Sequence, residues 1–172
     1  PTEKNIETSK KGQYRIKDNF LAFWFRFVYP MRSFIESDHP EIAMTKLKTG
    51  FIPNHVGYVY EDICRQKMWE LNAQGKLPFL FDRVGRWWGG KDTEIDIVAI
   101  DTTDRSKIIF GECKFHQNVP MQLSELHQLK EKAAVVPWGN ANRDEYFALF
   151  CISGYSEDLQ QLAQEDSHLL LM

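Results

Sequence analysis

The sequence predicts an α/β fold, a mixed central sheet flanked by helices and preceded by an N-terminal helical extension. Three observations carry this. Apolar residues keep a helical period over residues 55–73 and then change to runs of apolar and β-branched residues of the kind strands use. After residue 107, strand-like and helix-like stretches alternate, as in proteins with helices on the faces of a sheet. The chain has 172 residues, of which 43% are hydrophobic, enough for the core of one domain with a short appended piece.

Residues 1–13, "PTEKNIETSKKGQ", are polar and read as a tail or turn. The chain starts at Pro1 without a Met, which reads as a piece of something longer. Asp18 or Asn19 can cap a helix over roughly 19–36. Its apolar part, "NFLAFWFRFVYPM" at 19–31, is too short for a membrane span and is interrupted by Arg26 and Pro30. It also lacks the basic polar face of an interfacial anchor, so it reads as a buried, aromatic-rich core helix. His39-Pro40 breaks this helix, a short one follows at about 41–48, and Gly50 and Pro53 break the chain again. The extension is therefore set at 1–54 and the main domain at 55–172.

Residues 55–73 form an amphipathic helix with Val56, Val59, Tyr60, Ile63, Met68 and Leu71 as its apolar stripe, Glu61 beside that stripe, and Gly75 as its end. Strands are expected at 77–88, 94–101 and 107–115, with "DTTD" at 101–104 as the turn between the last two. A helix near 121–135 carries Leu123, Leu126 and Leu129. A strand at 145–153, a helix at about 157–166 capped by Ser156, and "HLLLM" as a last strand complete the order.

Charge and composition exclude several classes. The formal net charge is -3 and the pI about 6.0, so the chain as a whole is no electrostatic funnel for nucleic acid. Residues 1–92 carry 15 Lys and Arg against 11 Asp and Glu, and residues 93–172 carry 6 against 13. The three cysteines make no C-x-x-C and the five histidines no H-x-x-x-H, so zinc is not expected and a reducing cytoplasm fits. No signal peptide is visible and no membrane association is expected.

Gly85 with Gly90-Lys91 nearly matches a phosphate-binding loop, but Asp92 stands where a Ser or Thr should hold magnesium. The stretch also joins two strands, so these glycines read as permitting a hairpin turn. A stronger constellation is "EID" at 94–96 with "ECK" at 112–114. Alternation puts Glu94 and Asp96 on one face of their strand, and Glu112 and Lys114 on one face of theirs. Antiparallel pairing brings Asp96 beside Glu112. Two neighbouring carboxylates repel unless a cation sits between them, and such oxygen ligands suit magnesium or manganese. Lys114, pointing to the same place, can stabilise negative charge or orient a water. The plainer reading is a cross-strand ion pair on a solvated face. Against it, Ile95, Ile97, Val98, Ile100, Ile108, Ile109 and Phe110 make these strands look central. Trp87 and Trp88 can stack on bases or pack at a strand end, His116 can meet a phosphate or be an ordinary loop residue, and Gln122 and Glu125 can line the site.

An acid on a first helix, a hairpin Asp and then Glu-x-Lys resembles the PD-(D/E)XK nuclease superfamily over residues 55–172. The resemblance implies a restriction-endonuclease-like fold and a Mg²⁺- or Mn²⁺-dependent DNA phosphodiesterase. Asp96, Glu112, the carbonyl of Cys113 and Glu61 would hold the metal, and Lys114 would be catalytic with Asp96 and Glu112. A narrower resemblance covers almost the whole chain. "YRIKDNFLAFWFRFVYP", "VGYVYEDIC", "WW…EIDIVA" and "GECKF" resemble the C-terminal domain of an archaeal and bacterial AAA/STAND-type ATPase family. It implies an ATPase and a winged helix preceding this chain as partners, with oligomerisation left open. The alternative to a nuclease is a non-cleaving module of the same fold that binds DNA, regulates or assembles its ATPase, with segment 19–31 as part of a docking surface.

Overall fold

The structure is a computed structural model describing residue 2 and residues 14–89, 93–139 and 142–172. The chain divides into two compact units, one of Gln13–Tyr60 and one whose larger part is Glu61–Met172. No helix among the described residues is long and apolar enough to cross a membrane.

The described part of the first unit is helical. Helix α1 (Asn19–Phe23) is capped by Asp18, whose side chain accepts from the Leu21 N–H at 2.8 Å. The chain continues through a π-helical turn (Trp24–Val28) and a 3-10 turn (Tyr29–Met31) into α2 (Arg32–Glu36). Pro30 explains the irregularity, because its ring clashes with the carbonyl four residues back and it brings no N–H. Asp38 takes a positive φ of 59°, and Pro40 opens α3 (Pro40–Phe51). The expected break at Gly50 and Pro53 is absent. The helix passes through a second π turn (Ile52–Val56) into α4 (Gly57–Ala73). Pro53 lies at the start of that widened turn, where the Gly57 N–H reaches back to the Ile52 carbonyl and no bond from residue 53 is required.

The reading of 19–31 as a buried core helix is corrected. No described residue of 13–60 is buried, and Phe20 is 66% exposed. Only one side of the aromatic helix is covered. Phe23, Phe27, Phe51 and His55 cluster with ring centroids 5.5 to 6.3 Å apart. The remaining aromatics pair along the helix surface, Phe20 with Trp24 and Phe25 with Tyr29.

The second unit holds a sheet in sequential order: β1 (Arg83–Gly89), β2 (Thr93–Ile100), β3 (Lys107–Lys114), β4 (Asp144–Cys151) and β5 (Leu169–Leu171). β1, β2 and β3 are antiparallel neighbours; β3, β4 and β5 run parallel. The parallel steps need crossovers, supplied by α5 (Leu123–Ala133) and α6 (Glu157–Glu165). Ile95, Val98, Ile100, Ile108, Phe110 and Leu149 pack against Leu126, Leu129, Ala133 and Leu159. Each such fully buried large side chain contributes about 1.5–3 kcal/mol. The α/β class with a mixed open sheet is as the sequence predicts.

Three local expectations change. Strand β1 starts at Arg83, not 77, because the Asn72 side chain takes both backbone groups of Phe81, at 2.9 and 3.1 Å. Helix α4 buries Glu61, Cys64, Met68 and Asn72, while Ile63 is exposed, so the buried stripe is one step round from the apolar one. Ser156 stands at the N-cap of α6, but its hydroxyl makes no bond to the helix.

The irregularity that matters for the site lies in β2. Gly85 pairs with Val98 and Trp87 with Ile95, so the single residue Arg86 faces two, Asp96 and Ile97. This is a β-bulge, a device that kinks a strand and re-aims side chains. Ile95 and Val98 both enter the same core although three residues apart, so strict alternation fails here. Beyond the bulge β2 pairs with β3 from Ile100↔Ile108 to Ile97↔Gly111. The next position in that register sets Asp96 across from Glu112. Gly111 permits this approach, since a Cβ there would lie 2.9 Å from the Ile97 Cβ and 3.0 Å from the Ala148 carbonyl oxygen. Gly85 lies inside β1 rather than in a turn; Gly90, Lys91 and Asp92 lie outside the described residues.

Candidate functional site

Five elements converge on the bulge. Helix α4 brings Glu61 and, one turn on, Arg65. Strand β1 brings Arg86 and β2 brings Asp96. Strand β3 ends in Glu112, Cys113 and Lys114, and α5 brings Lys132.

Asp96 is held at the centre. One of its carboxylate oxygens accepts from the Cys113 N–H at 2.9 Å, and its backbone carbonyl accepts from Arg65 at 3.0 Å. The bulge frees that carbonyl from the ladder, and the guanidinium satisfies it. Burial and then the neighbouring Glu112 hold the Asp96 carboxyl above its ordinary range, against the Cys113 N–H, Arg86 and Lys114.

Glu61 is 9% exposed. Its oxygen Oε2 lies 3.5 Å from Arg65 and 3.4 Å from Arg86 yet accepts no hydrogen bond. Both arginines are shared, Arg65 with Asp62 and Arg86 with Glu94 at 2.9 Å. Burial, with Asp96 second, raises the Glu61 carboxyl to about 7; the two arginines offset this only in part. A carboxylate this deep, with loose partners, can accept a proton or a further cation.

Glu112 is 6% exposed and clamped. Lys114 meets its Oε1 at 2.8 Å and Lys132 its Oε2 at 3.1 Å. Burial works against the Lys114 ammonium, but the contact to Glu112 and the charge of Asp96 outweigh it and hold its pKa above the ordinary lysine range. Lys114 is therefore a cation at neutral pH. The Cys113 thiol hydrogen-bonds to Cys64 of α4, and that bond and burial push its pKa far up, so it stays protonated and inert.

Each sequence-predicted residue thus has a place. Glu61, Asp96, Glu112 and Lys114 gather at the bulge, and the Cys113 backbone anchors Asp96. The residues able to hold a hard divalent ion are Asp96, Glu112 and Glu61, all oxygen donors. Among the described residues, no three acidic, histidine or cysteine side chains already form a metal cage. Glu112 would join one while already paired with two lysines. The unbonded Oε2 of Glu61 and the half-buried carboxyl of Asp96 fit such an ion chemically.

The weaker candidates separate. Trp87 is buried in the core and cannot stack on a base. The His116 carbonyl accepts from the Ser153 hydroxyl. Glu125 accepts from the Gln122 N–H at 2.9 Å to start α5, while its charge still reaches Lys114. Arg65, Arg86 and Lys132 are additions. Arg65 was within reach of sequence reasoning, four residues from Glu61 on one helical face. Arg86 and Lys132 carry no such local signal.

The DUF234 family, described as archaeal and bacterial proteins of unknown function, matches residues 24–133. The chain belongs to this family. The matched stretch includes Glu61, Asp96, Glu112, Lys114 and Lys132. An uncharacterized protein of Methanocaldococcus jannaschii is 35% identical over 142 residues, which is 82% of this chain. The chain spans 31% of the length of that relative. No solved structure matches the chain.

Proposed function

We propose that the bulge cluster is the hydrolytic site of a divalent-metal-dependent DNA phosphodiesterase of the PD-(D/E)XK type, carried by a larger ATP-binding protein. One observation carries this reading: half-buried Asp96, bonded to the Cys113 N–H, and buried Glu112 follow the last β2–β3 pair, with the Lys114 ammonium 2.8 Å from Glu112. The strand and helix order β1-β2-β3-α5-β4, preceded by an acid on α4, supports a restriction-endonuclease-like core. The greater length of the archaeal relative supports further domains. Free Cys64, Cys113 and Cys151 support work in a reducing cytoplasm.

Mg²⁺ or Mn²⁺ would supply a Lewis acid for the phosphoryl oxygen and a water of lowered pKa. Asp96, fixed by the Cys113 N–H, and Glu112 would hold it, with Glu61 joining directly or through water and the Cys113 carbonyl as a further donor. Lys114 stays protonated, so its role is to stabilise charge developing on the phosphate and to orient the attacking water, not to remove a proton. Glu61, near half-protonation at neutral pH, is the better acceptor for that proton.

A second reading is favoured by a different observation. Both oxygens of Glu112 are already held by lysines, which closes the network without an ion. On that reading the domain keeps the fold without cleaving, and binds DNA or regulates its ATPase. Supercoiled plasmid incubated with Mg²⁺ or Mn²⁺ separates the two. Nicking by the native chain that is lost in both Asp96→Ala and Lys114→Ala supports the hydrolase. No nicking by any of the three supports the non-cleaving module, and equal nicking by all three places the chemistry elsewhere.

A further inference from the structure

We infer that Lys132 is a built-in competitor for the divalent cation at Glu112, setting how tightly the site takes its metal. This deepens the proposed function and rests on it. The observation is an excess of cations on one buried carboxylate. Glu112 needs one partner to be neutralised, and Lys114, two residues along the same strand, already lies 2.8 Å from Oε1. Lys132 comes from 20 residues away, on α5, and occupies the other oxygen at 3.1 Å. Lys114 also serves Asp96, whose charge favours its ammonium. Removing Lys114 from the cluster therefore disturbs two carboxylates, whereas removing Lys132 opens one.

An ion shared by Asp96 and Glu112 has to share Glu112 with two ammonium charges. Withdrawal of the Lys132 ammonium leaves Oε2 with no other cation and removes a charge that repels the ion. Lys132 has room to withdraw: its side chain is 31% exposed, so the ammonium can move into water while the stem stays on the helix. The exchange is one cation for another at a carboxylate that is nearly dry, which keeps the buried charge compensated throughout. Once displaced, Lys132 stands as a second positive charge at the edge of the cluster, where a phosphodiester anion would approach.

The test is Mn²⁺ binding by the full chain, read from loss of the free-ion electron paramagnetic resonance signal. The variants are Lys132→Met, which keeps the stem and loses the charge, Lys132→Arg, and Asp96→Asn. Lys132→Met is expected to bind Mn²⁺ about three- to tenfold more tightly, the size expected for releasing a partly exposed ion pair. Lys132→Arg is expected to stay within about twofold of the native chain. Asp96→Asn is expected to abolish binding in either background. Thermal unfolding adds a readout that a structural role would not produce. Without metal Lys132→Met melts below the native chain, and with Mn²⁺ its rise in Tm exceeds the native one. Should Lys132→Met not fold, Lys132→Gln takes its place. Equal or weaker Mn²⁺ affinity in the charge-free variant overturns the inference and leaves the metal site standing. No binding by any variant overturns both. Binding by Lys132→Met alone supports the inference in its strongest form.

Discussion

Glutamine in place of Glu61 keeps the shape of the side chain and removes its charge. The native carboxyl moves from 4.5 to about 7 on folding, because burial and Asp96 together outweigh Arg65 and Arg86. A shift of that size corresponds to about 3 kcal/mol, at 1.36 kcal/mol per unit. The sign follows from proton counting. Between 4.5 and 7 the folded chain holds a proton that the unfolded chain has lost, so stability falls as pH rises through this window and levels off above it. Glu61→Gln has no such proton to lose. Its stability relative to the native chain should therefore climb by about 3 kcal/mol between pH 4.5 and 8. Urea unfolding of both chains at several pH values measures this, and the difference cancels every other titrating group except Asp96, which feels the same charge. A relative stability that is flat with pH, or that falls, would show that Arg65 and Arg86 hold Glu61 ionised and would remove the electrostatic case for a cation-seeking site.

Three further outcomes are expected. Gly111→Ala should cost about 1–3 kcal/mol, since its new methyl meets the Ala148 carbonyl, a backbone atom that cannot rotate away; a lower urea midpoint at unchanged slope is the readout. Asn72→Ala should cost about 2–3 kcal/mol, because the buried N–H and C=O of Phe81 both lose their partner, seen as a lower thermal midpoint. Mg²⁺ or Mn²⁺ binding at pH 6.5 should release protons from Glu61, and the release should shrink above pH 7; calorimetry in buffers of different ionisation enthalpy measures it, and no buffer dependence would contradict ligation by Glu61.

The parts of this fold that keep one period were legible in the sequence. The β2, β3 and β4 strands and α5 show because their apolar spacing matches the face they bury. What was missed has local physical causes. Pro53 reads as a helix breaker, yet a π turn removes the bond it would have spoiled. "LPFLF" reads as strand, yet the Asn72 side chain replaces the neighbouring strand's hydrogen bonds. The aromatic run at 19–31 reads as core because hydrophobicity says nothing of how many sides get covered. Within the site, "EID" and "ECK" gave the carboxylates and the lysine. Alternation alone set Glu94 beside Asp96, whereas the bulge breaks alternation and leaves Glu94 at the rim with Arg86. Lys132 meets Glu112 only through the path of α5, and no spacing encodes that.

The distribution of cations around the bulge bears on which function the fold serves. Glu61, Asp62, Glu94, Asp96 and Glu112 are interleaved with Arg65, Arg86, Lys114 and Lys132. A purely structural network is expected to give its most buried acids the best partners, because a buried charge without one costs several kcal/mol. Here Glu112 follows that rule and Glu61, almost as deep, does not. Asp62 and Glu94 have close guanidinium contacts, whereas Glu61 is served by the same arginines at 3.4 and 3.5 Å. Asp96 is held by a backbone N–H rather than by a close cation, and Glu112 has two ammoniums. The result is two deep carboxyls held in their protonated direction beside a third that is over-supplied. Moving one lysine away and bringing one divalent ion in would favour the ionised form of the first two and relieve the third. That imbalance reduces the stability of the folded chain, and a binding site is the circumstance in which a ligand restores it.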